Sequence, residues 1–348
     1  DMVRAALNTA GADGGPSLLV KEGERGKADY RLQATIVQKG LEEQEVYSIR
    51  RKADAYPLAV DTFDFNDESA NIVVDRLEHI ARWERIADLQ NKTTEISKDD
   101  VSIEVYLVHP GGELEPLDTS KGLRFEYEQK DGEWKHQRFQ VKLTNNGDRK
   151  FYCMLLDLSE DYLVYTSLLQ GDGLWLEPGQ EAWAHIPDGR AWRKEIDAFI
   201  PDKLHEQGVT EWKDILKLIV STEECDAKLL SQDSLPVSVV SKGVRALPPA
   251  MSTLQRLMYR VGNRTFGNAS VANETFVDWR TTSINSTIYR PLDAVEVGIP
   301  GETTELTTGV KISGHPSLSA KARLMPLDKV GREVGNLLTP GVFRNHPD

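Results

Sequence analysis

The two cysteines are the residues of this chain that could act as strong nucleophiles. Cys153 lies inside the apolar run Phe151–Leu158, a setting typical of a core thiol. Cys225 lies between Glu224 and Asp226, and these negative charges disfavour the thiolate. We therefore predict that neither cysteine is catalytic.

Metal and cofactor motifs are weak in the sequence. The seven histidines include no His-x3-His pair, and the cysteines form no Cys-x2-Cys pair, so we predict no zinc site. His79 is expected to be an exposed or hydrogen-bonded residue of a helix rather than a ligand. The sequence contains no Gly-rich phosphate loop, Gly-x-Ser-x-Gly elbow or His-Glu-x-x-His motif, so no cofactor is predicted.

An oxygen-rich run precedes the main helical segment and resembles part of a calcium loop. Its members are Asp61, Asp64, Asn66, Asp67 and Glu68. Counted from Asp64, however, the sixth position is Ser69 instead of Gly and the twelfth is Asp75 instead of Glu. The run is therefore interpreted as an acidic helix entry, where negative charge is favourable.

Composition excludes several classes of partner. The chain has 348 residues and a formal net charge of -13, which disfavours nucleic acid and anionic membrane surfaces as partners. No apolar stretch approaches the length of a membrane helix, and no signal segment is recognised. Two cysteines are too few for a disulfide framework, so we expect a reducing, cytoplasmic setting. Five Asn-x-Ser/Thr sequons are then attributed to chance.

The elements that would position any site begin with a flexible leader at residues 1–16, which includes Gly11 to Pro16. Residues 17–96 are predicted to form a small antiparallel sheet and one prominent amphipathic helix at 70–91. Apolar residues recur three or four apart along this helix, and Ser69 is its predicted N-cap. The stripe comprises Val73, Leu77, Ile80, Trp83 and Ile86 or Ala87.

Residues 97–235 alternate apolar and polar side chains in short segments, which is typical of a β-sandwich. Phe151–Leu158 and Ile215–Thr222 are apolar throughout and are predicted to be buried central strands. Residues 236–251 are predicted to be a linker, and 252–348 a short helix followed by a smaller β-module. We therefore predict a mainly β chain of β-sandwich-like modules with one prominent helix, α+β overall.

Three stretches resemble parts of a known family. Leu77–Asn91 looks like the helix found after the peptidase domain in large bacterial caspase-family (metacaspase-like) proteins. Phe151–Leu158, Leu176–Gln180 and Leu216–Glu224 resemble the β-rich accessory domain that follows such peptidases. The resemblance covers roughly residues 70 to 232. It implies a position beside a caspase-like cysteine peptidase.

Peptidase chemistry itself does not carry over to these residues. A caspase-type dyad needs a His in a Ser-Gly-His-Gly-like turn and a Cys downstream of it. Here Ser313-Gly314-His315 is followed by Pro316, and both cysteines precede the histidine. We therefore predict no catalytic dyad, and we expect the chain to be part of a longer protein.

Three functional hypotheses follow. The first is a non-catalytic accessory region of a bacterial caspase-like peptidase, serving regulation, docking or substrate presentation through the peptidase domain or a partner protein. The second is an independent protein-binding sandwich that recruits a peptide by strand addition. The third is proteolytic processing at Lys242 or Arg245, which lie in the predicted linker.

Overall fold

The computed structural model describes residues 1–11, 14–24, 27–39, 41–51, 61–130, 132–206, 208–235, 254, 257–258 and 277–292. Strands dominate the described part, and helices are few, so the predicted mainly β, α+β class is confirmed. Within the described residues, the helices are α1 (Met2–Thr9), α2 (Asp67–Ala87) and α3 (Asp202–Glu206), and Leu254, Leu257 and Met258 are also helical. Short 3-10 helices occupy Gln170–Asp172 and Ala227–Leu230.

The strands follow in chain order, and sheets form from segments distant in sequence. They are β1 (Tyr30–Lys39), β2 (Glu42–Arg51), β3 (Thr62–Phe63), β4 (Val101–Val108), β5 (Leu114–Pro116), β6 (Leu123–Glu126), β7 (Glu128–Lys130), β8 (Glu133–Lys135), β9 (Gln137–Asn145), β10 (Phe151–Ser159), β11 (Val164–Tyr165), β12 (Leu174–Leu176), β13 (Glu181–Trp183), β14 (Ile186–Asp188), β15 (Ala191–Arg193), β16 (Ile196–Ala198), β17 (Glu211–Ser221) and β18 (Trp279–Tyr289).

Helix α2 buries the predicted apolar stripe. Val73, Ile80 and Trp83 belong to one hydrophobic cluster with Met154, Leu156 and Leu158 of β10. The predicted N-cap was wrong, because the Asn66 side chain accepts a hydrogen bond from the Ser69 backbone N–H and so caps the helix. Asp67 and Glu68 occupy the first turn, where their charge favours the helix N-terminus.

The prediction of a flexible leader at residues 1–16 is corrected by the structure, because Met2–Thr9 forms α1. Ala6 of α1 packs with Ala70 and Val74 of α2, so small side chains bring the two helices together. Ser17 then donates a hydrogen bond of 2.7 Å to the buried carboxylate of Glu78. The Gly-rich composition suggested mobility, but contacts with α2 stabilise the structure of this segment.

The central sheet has the order β11-β10-β17-β18-β6, with β12 also paired to β10. β10 and β17 are antiparallel, and their register places Leu156 opposite Lys217. Both faces of β10 are covered, since Met154 and Leu156 meet α2 while Cys153 and Leu155 on the opposite face are also fully buried. The two apolar runs are therefore buried central strands, as predicted.

Strand β18 lies in this central sheet and not in a separate C-terminal module, which corrects that part of the prediction. It lies between β17 and β6 and pairs with β6 in parallel, from Ser286 opposite Leu123 onward. Ile284 and Ile288 are buried on one face. A pairing between segments this far apart leaves no local signal in the sequence. The rest of the predicted module lies almost entirely outside the described residues, and the predicted linker wholly so.

A second sheet has the order β13-β9-β4-β5, with β16 also paired to β9. Its alternation matches the prediction, because Phe139, Val141 and Leu143 of β9 are buried. The ring of Phe139 stacks on Phe125 of β6, with centroids 4.9 Å apart. A third sheet, β1-β2-β3, packs Tyr47 and Ile49 into the cluster that α2 shares with β10.

The chain divides into two compact units. The first comprises Asp1–Phe199 and Trp212–Tyr289, and the second Ile200–Glu211 and Arg290–Asp348. Within the second, Arg290 forms an ion pair of 2.5 Å with Asp202 at the start of α3. Side chains on both sides of the predicted domain boundary at residue 96, such as Ile80 and Met154, belong to one hydrophobic core in the first unit. The structure therefore does not place a domain boundary there. No helix in the described ranges is long and apolar enough to cross a membrane.

Candidate functional site

Both cysteines are buried. Cys153 has no exposed surface, and burial raises the pKa of its thiol to about 12. Cys225 lies after β17, and its thiol donates to the carbonyl of Glu223 at 3.5 Å. Its Sγ also lies 3.9 Å from the Ser221 hydroxyl in a buried contact. Cys153 is thus a packing residue, and its burial disfavours the thiolate.

The remaining predicted residues have structural roles where they are described. His79 is half-buried, its Nε2 lies 3.3 Å from the carbonyl of Tyr162, and burial lowers its pKa to about 4. Asp61 accepts a hydrogen bond from Ser48 of β2, whereas Asp67 and Glu68 lie in the first turn of α2. The acidic run therefore contributes to two different elements. Within the described ranges, no three His, Cys, Asp or Glu side chains are grouped to hold a metal ion. Lys242, Arg245 and His315 lie outside the described residues.

Within the described residues, the β1–β2 hairpin presents an open strand edge along β1. Among the described residues β1 pairs with β2 alone, over ten residues from Tyr30 opposite Arg51 to Lys39 opposite Glu42. Apolar side chains near the tip face solvent: Ile36 is 59% exposed, Val37 48%, and Leu41 fully so. An exposed edge carries a row of unpaired backbone N–H and C=O groups, which is a template for pairing with another strand.

The base of this hairpin is fixed to the core. The Tyr30 hydroxyl donates to the carboxylate of Glu84 on α2, and the Arg51 guanidinium donates to the Tyr162 hydroxyl at 2.7 Å. Burial and the hydrogen bond to Glu84 raise the pKa of Tyr30, so the phenol stays protonated. The anchored base and exposed tip make the hairpin a projecting arm, which we call the β1–β2 arm (Tyr30–Arg51).

The buried amine of Lys217 and the hydroxyl of the exposed residue Ser283 form a second polar site. Lys217 of β17 is 1% exposed, and its Nζ donates to the carbonyl of Ala87 at 2.7 Å and to the Oγ of Ser283 at 3.2 Å. Burial lowers the pKa of this amine to about 8, although Asp88 acts in the opposite direction. The sequence offered one signal for it, a single charged residue in the middle of an apolar run.

Three carboxylates, those of Asp157, Asp161 and Asp214, interact near the end of β10 and the start of β17. Burial and the neighbouring carboxylates hold the pKa of Asp157 well above its ordinary value. Burial also raises the pKa of Asp214 to about 6, although hydrogen bonds from Ser159 and Trp212 oppose this. Trp212 further donates to the Ser159 hydroxyl at 3.1 Å. These side chains are half-buried, and protonation relieves the repulsion between their carboxylates.

Comparison with known proteins adds no further assignment to these sites. No protein-family model matches the chain, and no curated protein matches its sequence.

Proposed function

We propose that this chain is a non-catalytic, β-rich docking region that acts in the cytoplasm beside a bacterial caspase-like peptidase. In this proposal it binds the peptidase domain of the same protein or a partner protein, and so regulates it or presents its substrate. The observation that carries the proposal is the β1–β2 arm, a ten-residue strand edge with exposed apolar side chains. The burial of Cys153 supports the non-catalytic part.

The scaffold in this proposal is a β-sandwich in which the central sheet packs on the β13-β9-β4-β5 sheet. The stacked rings of Phe125 and Phe139, one from each sheet, support this arrangement. The alternating burial along β9 supports it as well, because one face of that strand is directed to a core. Such a scaffold would hold the base of the arm in place while its edge stays open.

The occupant that fits the arm is an extended peptide added as a strand along β1. Main-chain hydrogen bonds supply most of the affinity in this mode, and alternate side chains supply specificity. β1 carries Arg31 and Lys39 and no acidic residue, so a peptide with apolar residues and flanking carboxylates would complement it. The same surface would serve an independent binding module, which is the alternative to a peptidase-linked region.

Selection from a displayed library of ten-residue peptides tests strand addition. We expect peptides selected on the full chain to lose at least tenfold in affinity in whichever of Ile36→Pro and Val37→Pro removes an N–H directed away from β2. Consecutive residues of an antiparallel strand direct their N–H groups to opposite sides, so one of the two substitutions removes an outward donor. Leu114→Pro on the short edge strand β5 is the matched control and should retain binding. Equal affinity for all four proteins would refute docking at β1.

Incubation with fluorogenic peptides cleaved after basic or acidic residues tests the non-catalytic part. The chain should show no turnover that depends on a cysteine. Turnover that disappears in Cys153→Ala or Cys225→Ala would overturn this part and leave the peptide selection unaffected.

A further inference from the structure

Lys217 is buried where the sheet meets the end of α2. The last carbonyls of a helix have no partner within the helix, and Lys217 supplies one to Ala87 at 2.7 Å. Opposite it on β10 lies Leu156, which is fully buried, so the amine is shielded from water on that side. Asp88, the C-cap of α2, is the charged residue that acts on the amine, and it favours the protonated form.

Ser283 extends this arrangement to the surface. The hydrogen bonds from Thr222 N–H to Asp278 O and from the Ser286 hydroxyl to Asp214 O place β18 antiparallel to β17, with Ser283 beside Lys217. Helix α2 ends at Ala87, and Ser283 is exposed. Pairing of β18 with β6 begins only at Ser286. The hydroxyl of an exposed serine therefore lies 3.2 Å from a shielded amine.

This pairing meets the requirement for an activated nucleophile, a hydroxyl within hydrogen-bond reach of a base that is itself oriented by a third group. Here the third group is the carbonyl of Ala87, which accepts from the same Nζ. Burial shifts the pKa of Lys217 to about 8, so a useful fraction of the amine is neutral near neutral pH. The neutral amine has a lone pair to accept the serine proton.

We propose that Ser283 is a covalent acyl-acceptor site, with Lys217 as its general base and activated esters as its reagents. The amine takes the proton from the Ser283 hydroxyl as Oγ forms a bond to the acyl carbon. The bond from that carbon to the leaving oxygen then breaks, and the leaving group receives the proton from Lys217. The product is an O-acyl serine and a free alcohol or phenol. The site adds a modification to the docking function and does not depend on it.

Acetylation by p-nitrophenyl acetate, mapped by peptide mass spectrometry on the full chain, tests this proposal. Ser283 should be acetylated at least tenfold faster than the exposed Ser97, and its rate should rise as pH passes about 8. The Ser283 adduct should disappear in Ser283→Ala and persist in Thr282→Ala, which changes the neighbouring residue on the same strand. In folded Lys217→Met it should form about 100-fold more slowly, since a general base contributes at least this much. Acetylation of Ser283 no faster than that of Ser97 would overturn the proposal.

A second variant keeps the test decisive if Lys217→Met fails to fold. In Ser283→Cys, the protonated Lys217 should lower the thiol pKa, so the rate of alkylation by iodoacetamide should have its midpoint below the ordinary value of about 8.5. A midpoint at or above that value would show that the amine does not act on this position, and would refute the proposal.

Discussion

Two antiparallel strand pairs of this molecule, β10 with β17 and β1 with β2, differ in what covers them. β10 is buried on both faces, by α2 on one side and by apolar packing on the other, and its residues from Phe151 to Leu156 are almost inaccessible. β1 is ten residues long, and beyond Leu32 every side chain faces solvent. The same backbone geometry therefore serves a core in one place and an open edge in the other.

In these two strand pairs, amino-acid composition follows the environment of each strand more closely than it follows secondary structure. The β10–β17 pair is largely apolar, and its buried Lys217 is hydrogen-bonded to Ala87 and Ser283. The β1–β2 arm mixes charged and apolar residues, because most of them contact water. We expect changes in the first pair to act on stability and changes in the second to act on binding.

Truncation of a core side chain should give the largest contrast between the two pairs. Leu156→Ala should lower the free energy of unfolding by about 2–5 kcal/mol, because it leaves a cavity between β10 and α2. Ile36→Ala in the arm is the matched change and should alter it by less than about 0.5 kcal/mol. Urea unfolding followed by circular dichroism measures both. Similar losses in the two variants would show that the arm is buried in solution.

The titration of Lys217 should give the next largest change in the free energy of unfolding, about 1–3 kcal/mol as the pH rises. Its pKa is about 8 in the folded chain against an ordinary value of 10.5, so between these values the unfolded chain holds a proton that the folded chain has lost. Raising the pH through this window should therefore stabilise the wild type relative to Lys217→Met. Unfolding free energies of both proteins from pH 7 to 11 measure the difference, and parallel curves would contradict the lowered pKa.

The titration of Asp214 should change the free energy of unfolding by a smaller amount, about 1–2 kcal/mol. This change should have the opposite sign, since it lowers stability as the pH rises. Its folded pKa of about 6 lies above the ordinary 3.8, so the folded chain holds the proton more tightly. The stability that this proton provides should be lost as pH rises through about 4 to 6, and Asp214→Asn should abolish that loss. Thermal unfolding across this range checks it, with Asp233→Asn as a control residue outside the carboxylate group. An unchanged profile in Asp214→Asn would assign the titration to another group.

The sequence predicts part of this contrast and not the rest. The apolar runs predict that β10 and β17 are buried, and the period of α2 predicts its core face, because both signals are local. The N-cap was misplaced by three residues, since Asn66 and Ser69 are both residues that cap helices well. The meeting of Lys217 and Ser283 joins residues 66 apart, and no local pattern indicates it. Among the described residues, the open edge of β1 results from where the other strands lie, so the sequence of β1 does not predict it either.

Amide hydrogen exchange along β1, with and without a peptide selected on the full chain, tests strand addition most directly. Docking at the edge predicts slower exchange for alternate amides of Arg31–Lys39, while exchange along the short edge strand β5 stays unchanged. Unchanged exchange in β1 at a saturating concentration of peptide, or protection confined to other strands, would contradict docking through the arm.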